Sequence, residues 1–315
     1  MSLSPEQLEQ HCQAILQSPR IKNKIVVLCE GDIIKIQGRP SPQSYKEMER
    51  LPDANFYDAC VPRSWTQYRP QFFNCGDRKD VIDSYFTLLK LHNQGNDRSY
   101  LNPDKVFAIV DLDIQIQAID NYSFADTEEI FRNLYEKFKL KEQNTGQHHI
   151  WVTGLIHKEA YFLLPELQSL FDDFPNPPMY KENFLIIQDI YREMADAIIT
   201  DSDLQNNFQR AFDRISCCPG LDCSEIKKLR KSWKSQYKKA QDDRRKDELV
   251  LALLTIKKAK NYWNQVQPPS NWTRPDETFR EQLLLEIGRF YSEHSSDPKY
   301  HIPFFLKTLY KFVEL

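Results

Sequence analysis

Glycine is scarce in this chain, eight residues in 315, and no stretch reads G-x-x-x-x-G-K-[ST], so a phosphate-cradling P-loop is excluded. Long apolar runs are missing as well. The longest, such as 249–254, are core-sized and well short of the ~18–20 residues of a membrane span, so no membrane partner is expected. The first twenty residues mix Glu, His, Gln and Arg with Leu and hold no apolar core of a leader, which predicts a soluble cytoplasmic protein. The seven cysteines form no pair of C-x-x-C units, and Cys217, Cys218 and Cys223 match no zinc spacing; reduced, buried thiols are expected. Charge of one sign is also lacking: the net value of −3 makes no whole-molecule argument for a polyanionic partner.

What is present is an ordinary globular composition, 41% hydrophobic and 28% charged, in a chain long enough for two domains. With 18 prolines and 12% aromatics beside so few glycines, it predicts a helix-rich body with rigid loops. Ser4, Pro5 and Gln7 spell an N-cap, a first-turn proline and a capping-box partner, opening a helix that ends near Ser18. Short apolar runs follow at 24–29, 71–75, 106–110 and 149–153; the first, rich in β-branched residues, and the third read as strands buried on both faces, the other two as further strands. Helical spacing separates them at 80–91 and 127–138, which predicts a parallel, helix-covered sheet. The proline-rich stretch 37–70 reads as irregular, with a short strand near 56–61. Beyond Pro165 the period is helical, with helices expected near 181–200, 202–215, 223–243, 246–266, 275–293 and 303–313. The expected organisation is an N-terminal helix over 1–20, an α/β domain over 21–174, and an all-helical domain over 179–315, with Pro175 to Pro178 as the linker.

Two of the strands end in acid. Glu30 follows the first, and Asp111 and Asp113 follow the third at a spacing that lets both face one side of an extended segment. Parallel sheets place their working residues there, past the carboxyl ends of strands. Gathered carboxylates raise one another's pKa unless a hard cation keeps them ionised, and oxygen-only ligands favour magnesium or manganese. Such a cation clamps a phosphate in phosphodiester cleavage.

A strand ending in Glu30-Gly31, an intervening α/β unit and a strand ending in Asp111-x-Asp113 resembles the TOPRIM domain of topoisomerases, primases and OLD-family nucleases. The segment from Leu155 to Pro165, with His157, Lys158, Glu159 and Tyr161, is similar to the segment after the fourth strand of OLD-type members. The turn at 74–81 is similar to their Gly-Lys turn. The resemblance covers roughly 22–172. It implies a TOPRIM-like, Rossmann-like sheet and metal ligation by Glu30, Asp111 and Asp113 in a magnesium- or manganese-dependent nuclease acting on DNA or RNA. Glu159 is implied as a ligand of a second metal and Lys158 as a stabiliser of developing phosphorane charge. OLD-like members carry an acid four positions after the first Glu; here that position is Ile34, with Asp32 two positions early as a substitute. OLD-family nucleases often join this unit to an ATPase; with no P-loop motif in this sequence, the resemblance implies that any nucleotide-driven gating would need a separate ATPase partner.

Two rivals use the same residues. One is a TOPRIM-like module without catalysis that binds nucleic acid or a partner, motivated by Ile34. The other is a haloacid-dehalogenase-like phosphatase, since 107–113 is similar to that family's first motif, with Asp111 as nucleophile and Asp113 as general acid. Against it, Gln115 replaces the usual Thr or Val, and a complete strand-plus-acid unit precedes the motif.

From 226 to 246, ten Lys or Arg stand against Asp242 and Asp243, a local excess of eight positive charges. On a helix Lys227, Lys231, Lys234 and Lys238 share one face, a stripe suited to a phosphate backbone, with Trp233 or Tyr237 to stack a base. The alternative is a solvated helix face whose aromatics turn into the bundle.

Overall fold

The four apolar runs assemble into one sheet in the computed structural model, which describes residues 2–33, 51–65, 68–95, 99–294 and 297–313. Strands β1 (Val26–Cys29), β2 (Gln71–Asn74) and β3 (Val106–Val110) are joined by β6 (Ile150–Val152). Their order is β2-β1-β3-β6 and every pairing is parallel, with Val26 opposite both Gln71 and Val106. All residues of β1, β3 and β6 are buried, as expected for strands covered on both faces. The fold is thus α/β, a parallel sheet under helices with a helical C-terminal region.

The first helix, Pro5–Leu16, opens on the expected capping box at Ser4 and Gln7. It packs on helix Arg78–Asn93, which carries its own box between Asp77 and Asp80 and lies against β1 and β3. The expected strand near 56–61 is instead helix Pro52–Ala59. Proline at N1 starts it, and Phe56 and Tyr57 turn into the core.

Two other expectations fail for a shared reason. The helix expected to reach 138 stops at Leu134, and β4 (Tyr135–Glu136) turns back as β5 (Lys139–Leu140). The helix expected from 181 starts at Ile187, after β7 (Met179–Tyr180) and β8 (Asn183–Phe184), with β9 (Val266–Gln267) beside β7. Both hairpins close on two left-handed residues, Lys137 and Phe138 in one and Lys181 and Glu182 in the other. A primed turn normally announces itself by Asn-Gly or Asp-Gly, and neither pair does.

The helical region does not stand apart from the sheet. Helix Asp276–Ser292 crosses Pro52–Ala59 so closely that a Cβ on Gly288 would lie 2.4 Å from that of Ala59. Helix His301–Leu309 returns to the sheet, with the Phe305 ring 4.0 Å from that of Trp151. Among the described residues one continuous apolar cluster runs from Cys12 to Leu309. No helix among them is long and apolar enough to cross a membrane.

Candidate active-site cleft

From β1 the chain passes to β2 on one side and then to β3 on the other, so the ends of β1 and β3 flank the point where strand order reverses. Open parallel sheets leave their crevice there. A cleft of about 1030 Å³ occupies the place, lined by residues that follow all four strands: Glu30, Arg78, Asp111, Asp113, His157 and Lys158 among them.

The turn after β1 explains why glycine follows Glu30. Gly31 and Gly76 exchange two backbone hydrogen bonds of 2.9 Å, closing the ends of β1 and β2 together. A Cβ on Gly31 would stand 2.3 Å from Asp53 Oδ2 and 2.4 Å from Asn74 Nδ2. Glu30 therefore leaves the strand with its carboxylate turned toward β3, where Oε1 accepts the Asp111 N–H at 2.7 Å. Asp111 Oδ1 in turn accepts the backbone N–H of Lys158 at 3.0 Å. Burial raises the Glu30 carboxyl to about 7, and burial followed by the nearness of Glu30 and Glu159 pushes Asp111 well above the usual carboxylate range. These two desolvated acids of the cleft thus favour their protonated forms.

Lys158 sits among them. Its ammonium pairs with Asp53, the side chains being 15% and 21% exposed. Burial opposes its charge, but Asp53, Glu159 and Asp111 outweigh that and raise its pKa. Asp113 lies on the same cleft in a left-handed backbone conformation, φ +40°. Its Oδ1 accepts the Ile114 N–H at 2.5 Å and lies 3.6 Å from Lys258 Nζ. The loop is held from several directions: Arg78 donates to Leu112 O at 3.0 Å, Arg214 to Asp113 O at 2.7 Å and Arg210 to Ile114 O at 2.6 Å. Arg214 is buried with Glu128, 2.6 Å away.

Glu30, Asp111, Asp113, Asp32, Lys158 and Glu159 all line this one cleft, as do Asp53, Arg78, His157 and Lys258, which the sequence did not single out as working residues. For Asp53 a signal existed in Pro52, a first-turn proline that marks the start of its helix. Position 34 lies outside the described residues.

A divalent cation suits this donor set in part. Glu30 and Asp111 are adjacent, desolvated oxygen donors that lack a compensating positive charge strong enough to keep them ionised. Among the described residues, however, no three His, Cys, Asp or Glu side chains gather closely enough to hold an ion.

The basic helix forms as Ile226–Lys239, with Lys227, Lys231, Lys234 and Lys238 exposed. Lys234 is engaged by Asp196 at 2.8 Å, which Arg230 also binds. Trp233 is corrected: it is 2% exposed, and its Nε1–H donates to Leu249 O at 2.7 Å. The ring is a core side chain that no base can reach; Tyr237, half-buried, stacks on it with centroids 4.8 Å apart.

Compared with protein-family models, with curated proteins and with solved structures, the chain finds no match in any of the three.

Proposed function

We propose that this cleft hydrolyses phosphodiester bonds of DNA or RNA with magnesium or manganese. The observation that carries the proposal is the Glu30–Asp111 pair: two desolvated acids at the reversal point of a parallel sheet, the Glu30 carboxylate accepting the Asp111 backbone N–H at 2.7 Å and both carboxyls shifted toward protonation. Glu30 and Asp111 would hold the ion; Asp113 and Asp32 line the same cleft, but among the described residues they are not gathered closely enough with that pair to complete a set of three ligands. When bound, the cation supplies charge neutralisation at the scissile phosphate. The chain's own groups do the rest. Lys158, Arg78 and Lys258 give the acidic cleft a cationic wall for phosphate oxygens, and Lys158 is held beside the carboxylates by Asp53. The exposed Lys227, Lys231 and Lys238 offer a path for a phosphate backbone outside the cleft. The likeness to TOPRIM domains of the OLD type supports the same reading, as does a parallel sheet with acids at the two expected strand ends. A separate ATPase partner belongs to the same proposal and rests on that likeness alone.

A second reading has its own observation. The Lys158 ammonium, buried among Asp53, Asp111 and Glu159, resembles a built-in substitute for a cation, which favours a TOPRIM-like binding module without catalysis.

The test incubates the protein with single- and double-stranded DNA and RNA and manganese, beside Asp111→Ala and Glu30→Gln. Cleavage by the wild type that falls by about 100-fold or more in both variants is expected. Nucleic acid binding without any cleavage favours the module instead.

A further inference from the structure

One side chain of the same cleft lacks the hydrogen bonding that would explain its place. His157 stands at the N-cap of the short helix Lys158–Tyr161, yet its ring makes no capping hydrogen bond. It is only 8% exposed, and its buried Nδ1 has no hydrogen-bond partner among the described residues. Leaving such a group unsatisfied costs stability, so packing alone is a poor reason to have an imidazole there. The nearest charge is Glu159, itself buried, with Oε2 3.5 Å from Nδ1. A carboxylate on that side favours the tautomer with the proton on Nδ1, and Nε2 is then the lone-pair nitrogen of a ring that lines the cleft. A lone-pair nitrogen on a ring that lines the site, with a carboxylate beside the other nitrogen, is the arrangement that orients a base.

We propose that His157 is a catalytic residue that takes the proton of the attacking water through Nε2, with Glu159 as its positioning residue; this rests on the phosphodiesterase reading of the cleft. The water O–H bond breaks as its proton passes to Nε2, and the water oxygen forms the new bond to phosphorus. The bond from phosphorus to the leaving sugar oxygen breaks, and that oxygen takes a proton from solvent. Nε2 then returns its proton to solvent, so one water is consumed and one phosphomonoester and one hydroxyl are formed. Glu159 accordingly works behind the imidazole and not as a ligand of a second ion.

Two measurements on the full chain test this. Nitrogen-15 correlation spectra of the metal-free protein are expected to give His157 as the Nδ1–H tautomer, changing to Nε2–H in Glu159→Ala. With manganese and an oligonucleotide, His157→Asn and His157→Gln are expected to lower kcat by about 100-fold or more with KM within about twofold, while melting like the wild type. Added imidazole restores part of the rate of His157→Ala. An Nε2–H tautomer in the wild type, or full-rate cleavage by both His157 variants, overturns the assignment and leaves the phosphodiesterase reading standing. A wild type inert on every substrate overturns both.

Discussion

At the scale of single residues, burial that outweighs the nearby Arg78 and Lys158 charges sets the sign of the Glu30 pH response. Glu30 keeps its proton to about pH 7 in the fold against 4.5 unperturbed. For a folded-state pKa raised in this way, the associated stability is fully present below 4.5 and is lost as pH rises through 7. Glu30→Gln keeps the oxygen that accepts the Asp111 N–H and removes the titration. It is therefore expected to be more stable than the wild type at pH 8 without metal, by on the order of 3 kcal/mol at most, and no more stable at pH 4.5. Denaturant unfolding in a chelator at the two pH values measures the difference, and equal gains at both would refute the account. His301 moves oppositely: burial lowers it from 6.5 to about 4, so its contribution is present above 6.5 and lost as pH falls toward 4. Glu30, Asp111 and Asp113 were legible in the sequence because an acid that abruptly ends an apolar run has few structural reasons to be there. His157 was not, since its meaning lies in the missing partner of one ring nitrogen. Trp233 misled because an aromatic between lysines on a helix looks the same from either side of the surface.

Among the elements, helix Phe208–Ile215 has the clearest consequence for the cleft. Arg210 and Arg214 reach from it to the carbonyls of Ile114 and Asp113, and Arg214 is closed off with Glu128. Removing one member of such a pair strands a buried charge, so Arg214→Ala is expected to destabilise the protein by about 3–5 kcal/mol, read by equilibrium unfolding. A loss below about 1 kcal/mol would mean that the pair is not the tie it looks like. The sheet strands and most helices were readable from period and capping: Ser4 with Gln7 gave the first helix its correct start. The two hairpins escaped because Lys137-Phe138 and Lys181-Glu182 take left-handed conformations that glycine or asparagine would have advertised. Helix Pro52–Ala59 escaped because several neighbouring prolines masked the one that begins it.

For the molecule as a whole, the continuous apolar cluster argues against independent halves. The crossing at Gly288 and the return of Phe305 to Trp151 bind the last third of the chain to the sheet. Scanning calorimetry is expected to record one cooperative transition, with Gly288→Val lowering it by several degrees because the new side chain meets Ala59. Two separated transitions would show that sheet and helices melt on their own. The linker reading at Pro175 to Pro178 followed composition, which is blind to what the later helices pack against.

The backbone ties from Arg210 and Arg214 to the loop that carries Asp113 also limit how such a chain can change over generations. A cleft braced from a helix a hundred positions downstream cannot be grafted onto a different helical partner by simple recombination, because a crossover anywhere between them separates the acids from the guanidiniums that hold their loop. The two parts must be inherited together, and drift in one must be answered in the other.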